Sequence, residues 1–408
     1  MLQKGVLTAW VFGISIGTRY ILTRPQDFGP AQDLEYTSIY IPLSLLLSWL
    51  VLVVFSNETP RLPRNWRYLL PTLSLFTVIV VRATYSQRPD LTIWWLAVVL
   101  TFALTALTIY GAIRKNPQLL RTFLRAILFV GALQAILALL QVSLGHTLGL
   151  SFFGEITATD TTLGVAKLVV DGTTLLRPIG TFLHANILGG FLALAFFGAI
   201  QLAKHVRFGL IERIMTSLVL LGLIASYSRA AWITGVLILG YGLVTIGPRA
   251  IAHKLALPLI ISAIALIIWF PGVSARFNLS EHPQQINLRQ QLQDQALETL
   301  AEGPAFGTGL RNYVVQLNQE LLPHEKQPAH NALVHSAAEL GFVGLALFTL
   351  LLLLVYWKLG IWRTIFGVLP FLPILLLDHY LITTTAGLGI LATMFIVSAT
   401  MCVPRETP

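Results

Sequence analysis

The feature that most constrains this chain is a series of uninterrupted apolar runs, each about as long as a bilayer is thick. Roughly 20 residues of helix cross the hydrocarbon layer. Runs of that order recur near residues 5–22, 37–55, 67–82, 91–111, 121–141, 186–203, 211–226, 230–247, 252–270, 332–356, 364–377 and 380–400. They are uniformly apolar rather than alternating, which indicates helices and not the strands of a closed barrel. Only 11% of the 408 residues are charged, against about a quarter in soluble domains. That balance excludes a soluble enzyme, a nucleic-acid-binding domain and a disordered regulator. The expected fold is an all-α polytopic membrane protein of about 12 transmembrane helices, a single transmembrane domain over residues 1–408 without internal repeats. The first run lacks a small-residue cleavage site and reads as a span. A single cysteine, Cys402, rules out a disulfide framework or a cysteine-rich metal site.

The net charge of +9 is topological. With Lys4 placed in the cytoplasm, the short inner loops hold Arg61, Arg64, Arg67, Arg114, Lys115, Arg121, Arg125, Lys204, Arg207, Arg213, Arg249, Lys254, Lys358 and Arg363. Adding Lys4 and Arg405, 16 of the 27 basic residues lie inside, against the acids Glu58, Glu212 and Glu406. The positive-inside rule therefore puts both termini in the cytoplasm. Two long loops, 142–185 and 271–331, fall on the outer side, and loops of that length are usually functional. The second contains a polar, helix-like stretch from Leu288 to Ala301, expected to form a short amphipathic helix on the membrane surface or over a cavity.

The polar residues at the outer edge need a reason to be there. Arg177 opens R-P-I-G-T-F-L-H-A-N, where the first loop returns to the membrane, and Arg229 lies in S-Y-S-R-A-A-W, a tight outer turn. Both sit among small and polar neighbours just before or at a helix start, a setting suited to an anion, and the guanidinium fork fits phosphate oxygens. Arg289 lies in the second loop and could support them. Arg82, Arg88, Arg276 and Arg311, each taken alone, read as interfacial side chains reaching to water.

In P-A-H-N-A-L-V-H-S-A-A-E-L-G, His330 and Asn331 stand at the junction of the second loop and the tenth span. Asn331, His335 and Glu339 follow at i, i+4 and i+8 and form one polar stripe. Glu339 lies about 12 Å below Asn331 at 1.5 Å per residue, so its carboxylate must face the protein interior. His335 and Glu339 either hold helices together or take part in chemistry. His330, beside an outer cavity, is the candidate for proton transfer, and a lone structural histidine is the alternative. Asp378 and His379 either line the same cavity or satisfy a helix end. The glycine-rich stretch 303–313 neither follows a strand nor carries a Walker lysine, so it is no nucleotide site. No metal-ligand spacing is present, and neither a metal nor a cofactor is expected.

Four segments, R-P-I-G-T-F-L-H-A-N-I-L-G-G-F, S-Y-S-R-A-A-W, E-G-P-A-F-G-T-G-L-R-N-Y and H-N-A-L-V-H-S-A-A-E-L-G-F-V-G, in that order and with a large outer loop before the last, resemble the O-antigen ligase and polymerase superfamily. The resemblance covers roughly residues 120–400. It implies a metal-independent, inverting glycosyltransferase of the bacterial inner membrane, acting at the periplasmic face. The donor would be an undecaprenyl diphosphate-linked glycan. The acceptor hydroxyl would belong to lipid A–core for a ligase, to another carrier-linked glycan for a polymerase, or to a protein for an oligosaccharyltransferase. The implied partners are these lipids and membrane lipids, with no nucleic acid. The resemblance also implies functional arginines at Arg177 and Arg229 and a functional histidine at His330. The competing class is a polytopic transporter of a lipid-linked or anionic substrate, with Glu339 or Arg19 as coupling residues. The outer, asymmetric placement of both long loops favours the enzyme.

Overall fold

The computed structural model describes residues 1–23, 34–58, 66–278, 283–317, 321, 325–359 and 366–400. Its main elements in order are α1 (Leu2–Ile14), β1 (Arg19–Thr23), β2 (Ile39–Pro42), α2 (Leu43–Val54), α3 (Trp66–Thr84), α4 (Pro89–Lys115), α5 (Gln118–Leu144), β3 (Lys167–Val170) and β4 (Thr173–Leu176). There follow α6 (Ala185–His205), α7 (Leu210–Ala225), α8 (Arg229–Ile246), α9 (Pro248–Ile268), α10 (Pro283–Glu302), α11 (Ala332–Leu359), α12 (Leu372–Leu377) and α13 (Thr385–Thr400). Six helices are long and apolar enough to cross a membrane: α4, α5, α6, α8, α9 and the first 24 residues of α11. Shorter apolar helices at Leu43–Val54, Leu69–Thr84, Phe366–Leu377 and Thr385–Thr400 accompany them. Together they make a polytopic membrane protein. Arg61, Arg64, Arg363, Arg405 and Cys402, and the start of the run near 364–377, lie outside the described residues.

The expectation of an all-α chain is corrected by two antiparallel hairpins, β1–β2 and β3–β4. The run near 5–22 is helical only to Ile14. Gly17 then donates to Phe153 O and Thr181 O, both at 3.1 Å, docking the chain on the first long loop. A Cβ at Gly17 would stand 2.8 Å from Thr181 O and 2.9 Å from Gly154 O, so the close approach needs glycine. The run near 37–55 likewise starts as a strand, and that near 380–400 is interrupted at Thr384. In the first loop, β3 and β4 turn at Asp171-Gly172, with φ of 49° and 78°. Two successive positive φ values give the primed turn that suits the twist of a two-residue hairpin.

Helix α6 forms the centre of the bundle. Every residue from Ala185 to Ala203 is buried, and α5, α7 and α8 pack around it. Its small residues permit close approach: a Cβ on Gly190 would strike the Tyr380 ring.

Before α6, the chain is held by buried amides. Gln141 Oε1 accepts from Ile179 N (2.9 Å) and Gly180 N (2.8 Å), while its Nε2 donates to Glu155 Oε1 and Gly180 O. Glu155 in turn accepts from Leu148 N and Leu150 N. Gln134 grips Thr181 in the same manner. These bonds satisfy backbone groups that would otherwise be orphaned in a water-poor interior.

Helix α11 is discontinuous. Gly341 has φ 64° and ψ 178°, and the segment 303–309 inserts beside it. Thr308 N donates to Ala338 O and Gly309 N to Glu339 O, both at 2.9 Å. Those are the two carbonyls that Phe342 N and Val343 N would take in a continuous helix. The latter donate instead to Pro304 O (2.8 Å) and Ala305 O (3.1 Å). The glycine-rich stretch is thus a splice into a broken helix. Irregular backbone is tolerated here because Ala338 O, Glu339 O, Phe342 N and Val343 N, which the break frees, each find a partner.

The polar helix expected over 288–301 runs longer, as α10. Its Leu292, Ala296 and Leu300 are buried, and the first two join Tyr313, Val314, Leu317, Leu321, Ala329 and Ala338 in a small core of their own.

Candidate functional site

The long loops and the adjoining helix ends bring one cluster together from six parts of the chain. Arg177 precedes α6, His184 and Asn186 sit at its start, and Tyr227 and Arg229 form the turn into α8. Arg276 follows α9, Arg289 lies on α10, His330 precedes α11, and Asp378 and His379 follow α12.

Arg177 is 3% exposed. Its Nε and Nη2 donate to Ser226 O at 3.2 and 2.9 Å, and Nη2 also donates to Asn186 Oδ1 at 2.8 Å. One edge of the fork therefore ties the first loop to the α7–α8 turn. Asn186 passes the connection on, donating from Nδ2 to Asp378 Oδ2 at 2.6 Å. Asp378 Oδ1 accepts from His379 N at 2.9 Å. Asp378 is itself 5% exposed and is the carboxylate that faces the cations.

Arg229 is the first residue of α8, half-buried. Neither it nor Arg289 makes a hydrogen bond among the described residues. Arg276 Nε donates to Tyr227 O at 3.0 Å, which fixes a residue held at φ 50°. A left-handed tyrosine costs conformational energy. Here it turns the chain so that its carbonyl meets Arg276 while Arg229 starts the helix.

The four guanidinium groups lie near enough to disturb one another. Burial first, then Arg229 and Arg289, lowers Arg276 to about 10. Burial, followed by Arg276 and Arg289, weakens the hold of Arg177 on its proton, Asp378 opposing. Arg289 is lowered by burial, with Asp378 again opposing. Among the described residues, four cations and the Asp378 carboxylate leave an excess of positive charge that an anion can neutralise.

Histidines border the cluster. The His330 and His379 rings meet edge to face, centroids 5.1 Å apart. His330 Nδ1 is buried without a hydrogen-bond partner among the described residues. Burial, then the charges of Arg289, His379 and His184, holds its imidazole well below the usual histidine range. The ring is therefore neutral at physiological pH, the state that accepts a proton. Asn331 fixes the helix start beside it, its Oδ1 accepting from Leu333 N (3.0 Å) and Val334 N (3.2 Å). His379 Nδ1 contacts Thr383 Oγ1 at 2.7 Å. His184 caps α6, its Nδ1 accepting from Asn186 N at 3.0 Å, which puts the ring proton on Nε2. Burial and then Arg177 push His184 down to about 3.

His335 and Glu339 lie deeper on α11, with His335 near enough to His379 for their charges to interact. His335 Nε2 lies 3.4 Å from Glu339 Oε1, and its ring meets Tyr313 edge-on at 5.4 Å. Tyr313 donates to Leu292 O, so these residues connect α11 to α10. His335 Nδ1 and Glu339 Oε1 are both buried without a hydrogen-bond partner among the described residues. Arg276 and His184 join the site although neither stood out in the sequence.

His330, Asp378 and His379 also present three ligand-type atoms within 4.8 Å of one another, a grouping no sequence spacing announces. Both Asp378 oxygens already accept hydrogen bonds, and the nearby arginines oppose a dication.

A polytopic membrane protein with a buried cationic centre at one end of its bundle is the class that fold and site define. Within it, residues 214–349 match the family model described as O-antigen ligase. This match supports the O-antigen ligase and polymerase superfamily and, with it, a glycosyltransferase-type enzyme of a bacterial membrane. The matched segment contains Arg229, Arg276, Arg289, His330, His335 and Glu339. No curated protein matches the chain.

Proposed function

We propose that the chain transfers a glycan from an undecaprenyl diphosphate carrier to an acceptor hydroxyl on the periplasmic face, as an O-antigen ligase-type inverting glycosyltransferase. The observation that carries this reading is the set of four guanidinium groups beside Asp378 and a His330 nitrogen that has no hydrogen-bond partner among the described residues.

In the reaction, the acceptor oxygen attacks the anomeric carbon while the bond from that carbon to the diphosphate oxygen breaks with its electron pair. The acceptor proton passes to His330, and the diphosphate leaves on its lipid. Charge grows on the leaving oxygens, where Arg229, Arg276, Arg289 and the uncommitted edge of Arg177 lie; fixed cations in a dry site stabilise such charge strongly. A bound diphosphate also offsets the cations that depress His330, strengthening it as a base when the donor is present. An activated phosphate leaving group needs no acid, so no carboxylate pair is required. Asp378 orients Asn186 and, through it, Arg177. The site as read works without a metal.

The test is purified protein in detergent with undecaprenyl diphosphate-linked glycan and lipid A–core. Glycan joined to lipid A–core supports the ligase reading. Elongated carrier-linked glycan instead makes it a polymerase, and an unconsumed donor with every acceptor overturns the enzyme.

A further inference from the structure

Across the histidine pair from the arginine cluster lies a second, aromatic-lined cation that the donor chemistry does not use. Arg311 is 4% exposed and held at φ 65° in the segment that follows the splice into α11. Its guanidinium carbon sits 3.8 Å over the Trp95 ring, 5.7 Å from the Trp94 ring and 5.9 Å from that of Tyr36. Nε and Nη2 are buried with no hydrogen-bond partner among the described residues. Tyr36 connects this box to the site, its ring 5.8 Å from that of His379, and His379 meets His330.

Stacking on tryptophan offsets part of the cost of burying the charge but satisfies none of the in-plane N–H groups. A buried donor left unpaired is costly, and a left-handed arginine adds strain. The backbone here is held firmly all the same. Asn312 Oδ1 accepts from Arg88 N at 2.8 Å, Asn312 Nδ2 reaches Thr92 Oγ1 at 3.0 Å, and Thr92 Oγ1 donates to Leu310 O at 2.8 Å. The guanidinium face already covers Trp95, so what remains is its unpaired in-plane edge, Nε and Nη2, a fork that fits the oxygens of an anionic substituent on a sugar.

Resting on the transfer reading, we infer that Arg311, Trp94, Trp95 and Tyr36 form an acceptor subsite selective for a sugar bearing a carboxylate or phosphate. The donor diphosphate occupies the arginines on one side of His330 and His379, and the acceptor's charged sugar anchors on the other.

The experiment measures binding of octyl glucuronide, octyl glucoside 6-phosphate and neutral octyl glucoside to the full-length protein in detergent. Wild type is expected to bind at least one anionic glycoside about ten- to a hundredfold more tightly than the neutral one, the range of a charge-assisted contact. The carboxylate and phosphate arms identify the substituent. The preference should survive Arg229→Gln and disappear in Arg311→Met, which keeps a chain against Trp95. No preference in wild type, or one lost in Arg229→Gln and kept in Arg311→Met, overturns the inference. The absence of a wild-type preference decides against the inference even if a variant fails to fold. Transfer assays run in parallel separate the two ideas: an Arg311-dependent preference without transfer leaves the subsite standing and sinks the enzyme reading, and transfer indifferent to acceptor charge does the reverse.

Discussion

Replacing Gly341 by alanine tests whether the break in α11 is built into the sequence. At φ 64° and ψ 178° only glycine is comfortable, and strain of this kind costs about 1–3 kcal/mol. A Cβ there would also lie 2.4 Å from both Ala305 O and Phe306 N, which are backbone atoms that cannot rotate away. Relief requires expelling segment 304–309. Phe342 N and Val343 N can then return to Ala338 O and Glu339 O, so the helix loses nothing. The expelled Thr308 N, Gly309 N, Pro304 O and Ala305 O lose their partners, at about 1 kcal/mol each. The two routes bracket a destabilisation of about 2–5 kcal/mol. The assay is thermal unfolding in detergent followed by intrinsic fluorescence, with Gly344→Ala as the comparison, since Gly344 meets only the Leu340 side chain. A large loss for Gly341→Ala and a small one for Gly344→Ala is expected. Equal melting temperatures for Gly341→Ala and wild type would refute the argument that the splice needs a glycine.

Arg229→Lys should lose about 10²–10³ in turnover, because a point charge lacks the planar fork, while keeping its melting temperature. Arg177→Lys should lose both, since its Nε and Nη2 also hold Ser226 O and Asn186; turnover near normal in both variants would remove the diphosphate role. His184 titrates at about 3 when folded and near 6.5 when unfolded, so the unfolded chain binds the extra proton. Stability should be full above about pH 6.5 and fall as the pH drops toward 3, and His184→Asn, keeping a capping acceptor, should flatten that dependence in thermal melts. Cysteines placed at 165 and 320 should be labelled from outside spheroplasts and those at 118 and 209 should not, and the reverse pattern would invert the sidedness of the site.

Much of the architecture is written in the apolar runs, because a long uniform run has few alternatives to a helix. What the runs hide is where a helix stops without becoming polar. L-G-F-V is apolar through the break at Gly341, and where α1 passes into a strand only the short G-T-R-Y interrupts the apolar run. The β3–β4 hairpin is written in Asp171-Gly172 between K-L-V-V and T-T-L-L, a strong turn signal that lies outside the apolar runs and so is absent from the helical expectation. Arg177, Arg229 and His330 stand out because short motifs surround them. Arg276 does not, since its significance comes only from Tyr227 and Arg229, 49 and 47 positions earlier. Arg311 escapes for the same reason, as its aromatic box is assembled from Tyr36, Trp94 and Trp95. His184 lies inside a quoted motif, but a histidine acting as a helix cap has no sequence mark.

The most direct test of the account is single-turnover transfer by His330→Ala with the undecaprenyl diphosphate-linked glycan pre-bound. Transfer should fall by about 10²–10⁴ while donor affinity is retained. In the intact enzyme the acid limb of kcat/KM should lie below the ordinary histidine range, because burial and nearby charges keep His330 neutral. The limb of single-turnover transfer should lie higher, because the bound diphosphate offsets Arg289. Wild-type transfer rates in His330→Ala, with the acid limb still present, would contradict the claim that this imidazole takes the acceptor's proton.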